Sequence, residues 1–220
     1  LAGMVDPAAR RRGIGTALLG RALQLAAERG IDEALLVVAR TTGAGAAFAR
    51  SLGGQLEHSE HSLVLHEAPR AAARLPGVVV RPAGTEDPDR VSSLLIEGFG
   101  DDLGSPVTND PSQRQLVVEH GARVVGALRV NVDSDDHGTR AGIYGFVVAA
   151  AERGRGIGRE VLRQVCTGLF DEGCTAVSLE VAVDNDHALG LYASVGFVRR
   201  ATEDYYSMST RSEIDPSAPA

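Results

Sequence analysis

A glycine-rich loop flanked by arginines is the part of the chain whose residue types point most directly to chemistry. It reads Arg153-Gly154-Arg155-Gly156-Ile157-Gly158, between a predicted strand and a predicted helix. The free N–H groups and the dipole of a helix N-terminus attract an anion. Glycines let the backbone approach it closely, and Arg153 and Arg155 add cationic forks. The loop predicts a pyrophosphate site, and a glycine-rich turn with solvent-facing arginines is the structural alternative.

Several other kinds of phosphate or cofactor chemistry fit this sequence less well. In a dinucleotide-binding fingerprint the third glycine would fall on Arg159, which argues against a dinucleotide. All 22 basic residues are Arg. The chain therefore has no Lys for a Schiff base with pyridoxal phosphate or for a Walker-type loop.

Hydrophobic periodicity and turn residues predict the elements that would hold the loop in place. Ahead of it we expect a strand, a helix, a hairpin turning at His120-Gly121 and a further strand, at 77–82, 87–98, 115–119 with 123–132, and 141–148. Behind it we expect a helix from Ile157, a strand, a second helix and two closing strands, the last four at 176–183, 186–195, 197–200 and 204–208. The order is mixed α/β, with antiparallel strands in front and βαβ units behind.

An internal repeat organises the chain. Residues 5–15 align with residues 148–158, and the offset of 143 residues from Arg10 to Arg153 then holds without a gap as far as Gly53 and Gly196. We therefore predict the C-terminal half of a degenerate copy at 1–66, a linker at 67–77, a complete copy at 78–208 and a flexible tail at 209–220. Because the chain begins almost inside a motif, we expect a fragment of a longer protein.

Taken together, these motifs resemble the signature of GNAT N-acetyltransferases. Arg-x-x-Gly-x-Gly at 153–158 is preceded by Val148 and followed by Leu179-Glu180-Val181, Asn185, Leu191-Tyr192 and Gly196-Phe197. The spacing of Glu180 and Tyr192 and the pair Tyr205-Tyr206 are most similar to the ribosomal-protein alanine N-acetyltransferases. The tandem arrangement is also similar to that of mycothiol synthase. The resemblance covers the second copy and implies a mixed, mostly antiparallel central sheet flanked by helices, with a partial second GNAT copy beside it.

The resemblance implies acetyl transfer from acetyl-CoA to a primary amine of a peptide N-terminus or a small molecule. An amine that attacks a thioester must be neutral, and the departing thiolate benefits from a proton. By resemblance, Glu180 is the general base, directly or through water, and Tyr192 is the general acid. The structural alternatives are a salt-bridged Glu on an exposed strand face and a core aromatic on an amphipathic helix.

The same resemblance assigns contacts with the cosubstrate. Main-chain groups of Phe146, Val147 and Val148 would pair with the pantetheine amides as an added strand does. The loop residues Arg153, Gly154, Arg155, Gly156, Ile157 and Gly158 would hold the pyrophosphate, and Asn185 would contact the pantetheine arm, although it is also a helix N-cap. Gly145 is predicted to mark a bulge. One departure is that many family members place a carboxylate where Tyr144 and Gly145 stand.

The first copy serves as an internal comparison. It keeps Arg10, Arg12, Gly13, Ile14 and Gly15, but it has Val37, Thr42 and Ala49 in place of Glu180, Asn185 and Tyr192. We expect that phosphate binding can survive there and that catalysis does not.

Composition limits the partners and the compartment. The net charge of −7 argues against nucleic acid and anionic membranes as partners. Two Cys with neither zinc-site nor disulfide spacing, and no long apolar run, predict a cytoplasmic protein. The six His form no metal pattern, so we expect no metal.

The candidates for recognising a cationic acceptor are Asp101-Asp102, Asp135-Asp136 and His187, with exposed turn acids as the alternative. The acceptor, the acyl length and the oligomeric state are not predicted. A non-catalytic acyl-CoA-binding or interaction protein is the competing hypothesis.

Overall fold

The computed structural model describes residues 3–41, 43–100, 112–136 and 138–211. These residues form two compact units: one lies within Leu1–His61 and Ala201–Ala220, and the other is Ser62–Arg200. Residues 201–208, which are the end of the predicted 78–208 copy, therefore lie in the same unit as the predicted 1–66 copy.

The described chain contains five helices and eight strands, apart from short 3-10 turns. The helices are α1 Ile14–Glu28, α2 Gly43–Ser51, α3 Pro88–Phe99, α4 Ile157–Asp171 and α5 Asp186–Val195. The strands are β1 Glu33–Ala39, β2 Gln55–Leu65, β3 Val78–Pro82, β4 Gln113–His120, β5 Arg123–Asp135, β6 Gly138–Val148, β7 Cys174–Ala182 and β8 Val198–Ser209. The predicted mixed α/β order is confirmed.

The sheet of the larger unit runs from β3 through β4, β5 and β6 to β7. The first three pairs are antiparallel and the pair of β6 with β7 is parallel. The hairpin predicted at His120-Gly121 is present, with Gly121 at φ 59° and Ala122 at φ 62°. Two consecutive residues with positive φ are the geometry of a type I′ turn, whose twist matches that of the flanking strands.

Helices cover both faces of this sheet, as the alternation of side chains along its strands shows. Val117 and Val118 are adjacent on β4 and both fully buried, but they belong to different hydrophobic clusters. Val118 packs in the cluster that contains Val161 of α4, whereas Val117 packs with Leu94 of α3. Because successive strand residues face opposite sides, α4 and α3 lie on opposite faces.

The smaller unit is built on the pairing of β1 with β8. The two strands are antiparallel, in a register that runs from Glu33 opposite Ser209 to Ala39 opposite Glu203. The prediction of two closing strands, at 197–200 and 204–208, is wrong because β8 is one continuous strand. Residues 201–203, between the two predicted strands, stay extended because β8 pairs with a strand about 170 residues away in sequence. Local periodicity cannot reveal such a pairing.

A buried polar network fastens these two strands. Asp204 on β8 accepts hydrogen bonds from Arg40, at 2.6 and 2.9 Å, and from Ser59, at 2.7 Å. The hydrogen bonds from Arg40 hold the pKa of Asp204 below its usual value. Beside the network Tyr206 is completely buried, with its ring packed among Val38 and Ala49.

No helix in the described part of the chain is long and apolar enough to cross a membrane.

Candidate active site

A gap between β6 and β7 is the main feature of the site. The two parallel strands pair from Thr139 with Cys174 as far as Ile143 with Leu179. Within the described strands no further pair follows, although β6 continues to Val148 and β7 to Ala182. Residues 144–148 and 180–182 therefore border an opening, which we call the β6–β7 gap. Strand edges that lack a neighbouring strand can hydrogen-bond to an extended ligand.

A bulge on β6 lies at this gap. Tyr144 is opposite Arg129 and Val147 is opposite Ala127, so two residues of β6 face one of β5. Gly145 has φ 55° at this point, so the predicted bulge is present. It turns Val147 into the cluster beneath α3, while Phe146 and Val148 pack against the cluster beneath α4.

The glycine-rich loop follows a 3-10 turn at Ala150–Glu152 and leads into α4. Gly154 and Gly156 have φ of 75° and 82°, values that a residue with a side chain adopts only with strain. Gly156 is the N-cap of α4, and glycine has no side chain that could cap the helix. The first N–H groups of α4 are therefore not capped by that residue, which is the condition for binding an anion.

The arginines of the loop have partners within the protein. Arg153 donates from Nε to the carbonyl oxygen of Val148 at 2.8 Å, and Arg155 donates to Glu152. Glu152 is buried and also accepts from Arg123 at 2.7 Å. Burial raises the pKa of Glu152, but the charges of Arg155 and Arg123 outweigh this and hold the pKa below its usual value. Both loop arginines thus help to hold the loop, and their predicted contact with phosphate stays a prediction.

Close packing joins the loop to α5. A Cβ built on Gly158 would lie 3.2 Å from Leu191 and 3.7 Å from the ring of Phe146. Ile157 is 1% exposed, so its side chain anchors the start of α4 in the core. The loop, Phe146 and α5 therefore meet at one place.

Tyr192 lies on α5 and is 8% exposed, packed edge-on against Phe197 with ring centroids 5.9 Å apart. Burial raises its phenol pKa to about 12, so the group keeps its proton at neutral pH. The helix begins at Asn185, whose side chain accepts from the N–H of Ala188 at 3.1 Å, and ends at Gly196 with φ 111°. The predicted N-cap is confirmed, and the role of Asn185 toward pantetheine stays a prediction.

Glu180 lies on the exposed face of β7, two residues after Ser178. Its neighbours Leu179 and Val181 are buried in the cluster beneath α4. Glu180 therefore faces the other side of the sheet, as predicted. The predicted base and acid approach β7 from opposite faces, since Tyr192 packs in the same cluster as Leu179.

Tyr144 and Asp133 lie close enough to Glu180 to interact electrostatically, a neighbourhood that the sequence did not predict. Tyr144 is on β6 and its phenol pKa is raised by burial and by the nearby charges of Glu180 and Asp133. Strand register is the information that would have identified these two residues. β5, β6 and β7 are neighbours, and their pairing must be known before one can say which of their polar residues share a face.

The smaller unit contains a loop of the same conformation at 10–15. Its 3-10 turn Pro7–Ala9 precedes Arg10, whose Nε donates to the carbonyl oxygen of Val5 at 3.1 Å. Arg11 has φ 59° and Gly13 has φ 76°, matching Gly154 and Gly156. At the positions aligned with the predicted base and acid, Val37 is exposed and Ala49 is buried. Thr42 lies outside the described residues.

Several histidines and turn acids have partners within the protein. His58 stacks on Tyr205 with ring centroids 4.4 Å apart, and His61 shares a hydrogen bond with Thr202 at 2.9 Å. In the described ranges no group of three His, Cys, Asp or Glu side chains is arranged to hold a metal ion. Asp135 pairs with Arg140 at 3.2 Å. Asp101 and Asp102 lie outside the described residues.

Comparison with known proteins gives a family match over most of the chain. The model of the acetyltransferase (GNAT) family matches residues 4–53 and 85–197. The N-alpha-acetyltransferase RimI of Mycobacterium tuberculosis is 54% identical over 119 residues, covering 51% of this chain and 73% of that protein. The mycothiol acetyltransferase of Catenulispora acidiphila is 29% identical over 93% of this chain and 71% of its own length.

Two further comparisons concern coverage and fold. The N-alpha-acetyltransferase MAK3 of Arabidopsis thaliana is 31% identical over 90 residues. The aligned part is 41% of this chain and 47% of that protein, so the chain spans about half of that relative's length. A solved tandem GNAT protein from the clavulanic acid biosynthesis pathway has a TM-score of 0.69 at 19% identity, covering 96% of this chain and 74% of that one. At this identity the likeness establishes the fold alone.

Proposed function

This chain belongs to the GNAT acetyltransferase family, which is acyl-CoA-dependent, and we propose that it transfers the acetyl group of acetyl-CoA to a primary amine. The acceptor is either the amine of a peptide N-terminus or a small-molecule amine. The 78–208 copy is the catalytic one, because the 1–66 copy has Val37 and Ala49 at the positions aligned with Glu180 and Tyr192.

The observation that carries the proposal is the β6–β7 gap, which ends near the glycine-rich loop. Bound acetyl-CoA supplies an activated acetyl group as a thioester. The loop from Arg153 through Gly158 holds its diphosphate on the N–H groups of α4. The open edge of β6, at Phe146, Val147 and Val148, receives the pantetheine amides, and Asn185 contacts the same arm.

The protein's own groups then handle the protons. Glu180 removes a proton from the acceptor ammonium, directly or through water, so that a neutral amine attacks. Tyr192 stays protonated because burial raises its pKa to about 12, and it donates that proton to the departing sulfur. A base on one face of β7 and an acid on the other keep the two proton transfers apart.

The relatives support two acceptor classes. The identity of 54% to an N-alpha-acetyltransferase lies within about half of the chain and favours a peptide N-terminus. The likeness to a mycothiol acetyltransferase is lower but extends over 93% of the chain, and it favours a small-molecule amine. We propose the peptide N-terminus as the preferred acceptor, because the identity to the N-alpha-acetyltransferase is higher than the identity to the mycothiol acetyltransferase.

The test is release of thiol from acetyl-CoA with a panel of amines. The panel contains tetrapeptides beginning with Ala, Ser or Met, alaninamide and a diamine such as putrescine. We expect thiol release that depends on the amine, fastest with one of the peptides. The absence of thiol release, together with tight binding of CoA, would support the competing hypothesis of a non-catalytic acyl-CoA-binding protein. That class would bind CoA and release no thiol. Thiol release that does not depend on the amine would be hydrolysis and would contradict transfer to an amine.

A further inference from the structure

The ring of Tyr144 lies back along its own strand, over Gly142. A Cβ built on Gly142 would be 2.6 Å from the phenol oxygen of Tyr144 and 2.9 Å from its Cζ. Such distances are too short for a real side chain, so the missing side chain of Gly142 makes the space that the phenol occupies. Tyr144 is still 48% exposed, so a ligand arriving from solvent can contact it.

Strand register places this phenol between two carboxylates. Gly142 is opposite Asn131 on β5 and opposite Ser178 on β7. Asp133 is two residues from Asn131, at the level of Arg140, whereas Glu180 is two residues from Ser178 in the opposite direction along the sheet, so the two carboxylates flank Gly142 diagonally. Residues two apart share a face of a strand. The charges of both act on the Tyr144 phenol, and both side chains are exposed. The phenol oxygen therefore lies over the middle strand, with a carboxylate on each neighbouring strand.

Two basic side chains in the described part of this face, Arg129 and Arg140, donate hydrogen bonds to other residues. Arg129 is opposite Tyr144 and donates to Gln115 Oε1 at 3.1 Å. Arg140 is opposite Asp133 and donates to Asp135 at 3.2 and 3.3 Å. The phenol retains its proton next to two carboxylates, so its O–H serves as a donor and the oxygen lone pairs remain acceptors.

We propose that Tyr144 is the positioning residue for the acceptor amine, receiving it as an ammonium between Asp133 and Glu180. This rests on the proposed function. One N–H of the ammonium donates to the phenol oxygen while Asp133 balances the positive charge. Glu180 then takes one proton and the nitrogen keeps the freed electron pair, which attacks the acetyl carbon. Tyr144 and Asp133 thus select acceptors that arrive charged, and neither takes part in the transfer itself.

The experiment compares Tyr144→Phe, Asp133→Asn and Gly142→Ala with wild type. Asp171→Asn is the matched control, since it removes one exposed carboxylate from the last residue of α4. Turnover is measured with the best amine of the panel. Binding is measured separately by titrating alaninamide, and neutral N-acetylalaninamide, into protein saturated with free CoA, which has no acetyl group to transfer.

We expect Tyr144→Phe and Asp133→Asn each to raise the acceptor KM and the alaninamide Kd about fivefold, the size of a partly exposed charged contact. The KM for acetyl-CoA and the Kd of N-acetylalaninamide should stay within about twofold, as should every value in Asp171→Asn. Gly142→Ala should reproduce the effect with the phenol intact, because its methyl group displaces the ring.

Three other results are distinguishable. Turnover of amines with an unchanged acceptor KM and alaninamide Kd in all three variants would overturn the role of Tyr144 and leave the acetyltransferase activity standing. A weakened alaninamide Kd in Tyr144→Phe, in a protein that turns over no amine, would support the ammonium site and count against the proposed reaction. A lowered melting temperature without a change in acceptor affinity would also overturn the proposal, because it indicates a structural role alone.

Discussion

At the scale of single residues, the phenol of Tyr192 bears the most specific chemical assignment. It is buried beside Phe197 on a helix that is capped at both ends. The fixed helix holds the ring, and burial keeps its proton in place. These properties suit an acid that acts once per turnover on a thiolate.

Replacing Tyr192 with Phe should lower kcat for thiol release by about 10²-fold, the usual contribution of a positioned acid. The Kd for CoA should change by less than about twofold, because the ring and its packing remain. Steady-state kinetics and calorimetric titration with CoA measure the two quantities. A kcat equal to that of wild type would remove the assigned role.

The pH dependence provides a second check on the same residue. A phenol with the ordinary pKa of 10.0 would lose its proton, and with it the acid activity, as the pH rises through 10. Because the pKa of Tyr192 is raised to about 12, the protonated form persists through that range. We therefore expect no fall in kcat between about pH 8 and pH 10. A falling limb in that range that disappears in Tyr192→Phe would contradict the assignment.

At the scale of elements, the turn into α4 depends on glycine at one position. Gly156 has φ 82°, and a Cβ there would touch nothing closer than Leu75 at 3.9 Å, so the cost of a side chain is in the backbone. Gly156→Ala should therefore strain the loop by about 1–2 kcal/mol and raise the KM for acetyl-CoA about tenfold.

Gly13→Ala is the control for this prediction. Gly13 holds the same place in the loop of the smaller unit with φ 76°, so the substitution has a similar backbone cost. It should leave the KM for acetyl-CoA unchanged, because catalysis is assigned to the other loop. Equal effects of the two substitutions on turnover would show that the assignment of catalysis to the second copy is wrong.

The sequence predicted elements well wherever the determinants are local. Backbone preferences of a few residues are enough to predict the glycine turn at Gly154 and Gly156, the helix cap at Asn185 and the hairpin turn at Gly121. The continuous β8 and the place of Tyr144 near Asp133 and Glu180 did not follow. Both depend on which distant strand lies alongside, and that information is not contained in local periodicity.

At the scale of the whole molecule, sequence copies and compact units divide the chain differently. Strand β8, in the predicted 78–208 copy, pairs with β1 of the predicted 1–66 copy, and the end of β2 contributes Leu63 and Leu65 to the core of the larger unit. Each unit thus contains chain from both sides of the linker at 67–77. The pairing of β1 with β8 and the contact of Arg40 with Asp204 hold the smaller unit together.

Cutting the linker should therefore leave the two fragments associated. A protease site inserted between Glu67 and Ala68 would give a short N-terminal and a long C-terminal fragment after cleavage. We expect them to elute together, at the volume of the uncut protein, in size-exclusion chromatography without denaturant, and to separate in urea. Separation without denaturant would contradict the shared β1–β8 pairing.

The most direct measurement of the central claim is the position of the sulfur atom in a crystal structure of the complex with CoA. The account predicts that pantetheine lies in the β6–β7 gap, with its diphosphate on the N–H groups after Gly156. It also predicts that the sulfur lies within about 4 Å of the Tyr192 hydroxyl, which is hydrogen-bond range for sulfur. A diphosphate bound away from the glycine-rich loop, or a sulfur far from both Tyr192 and Glu180, would contradict it.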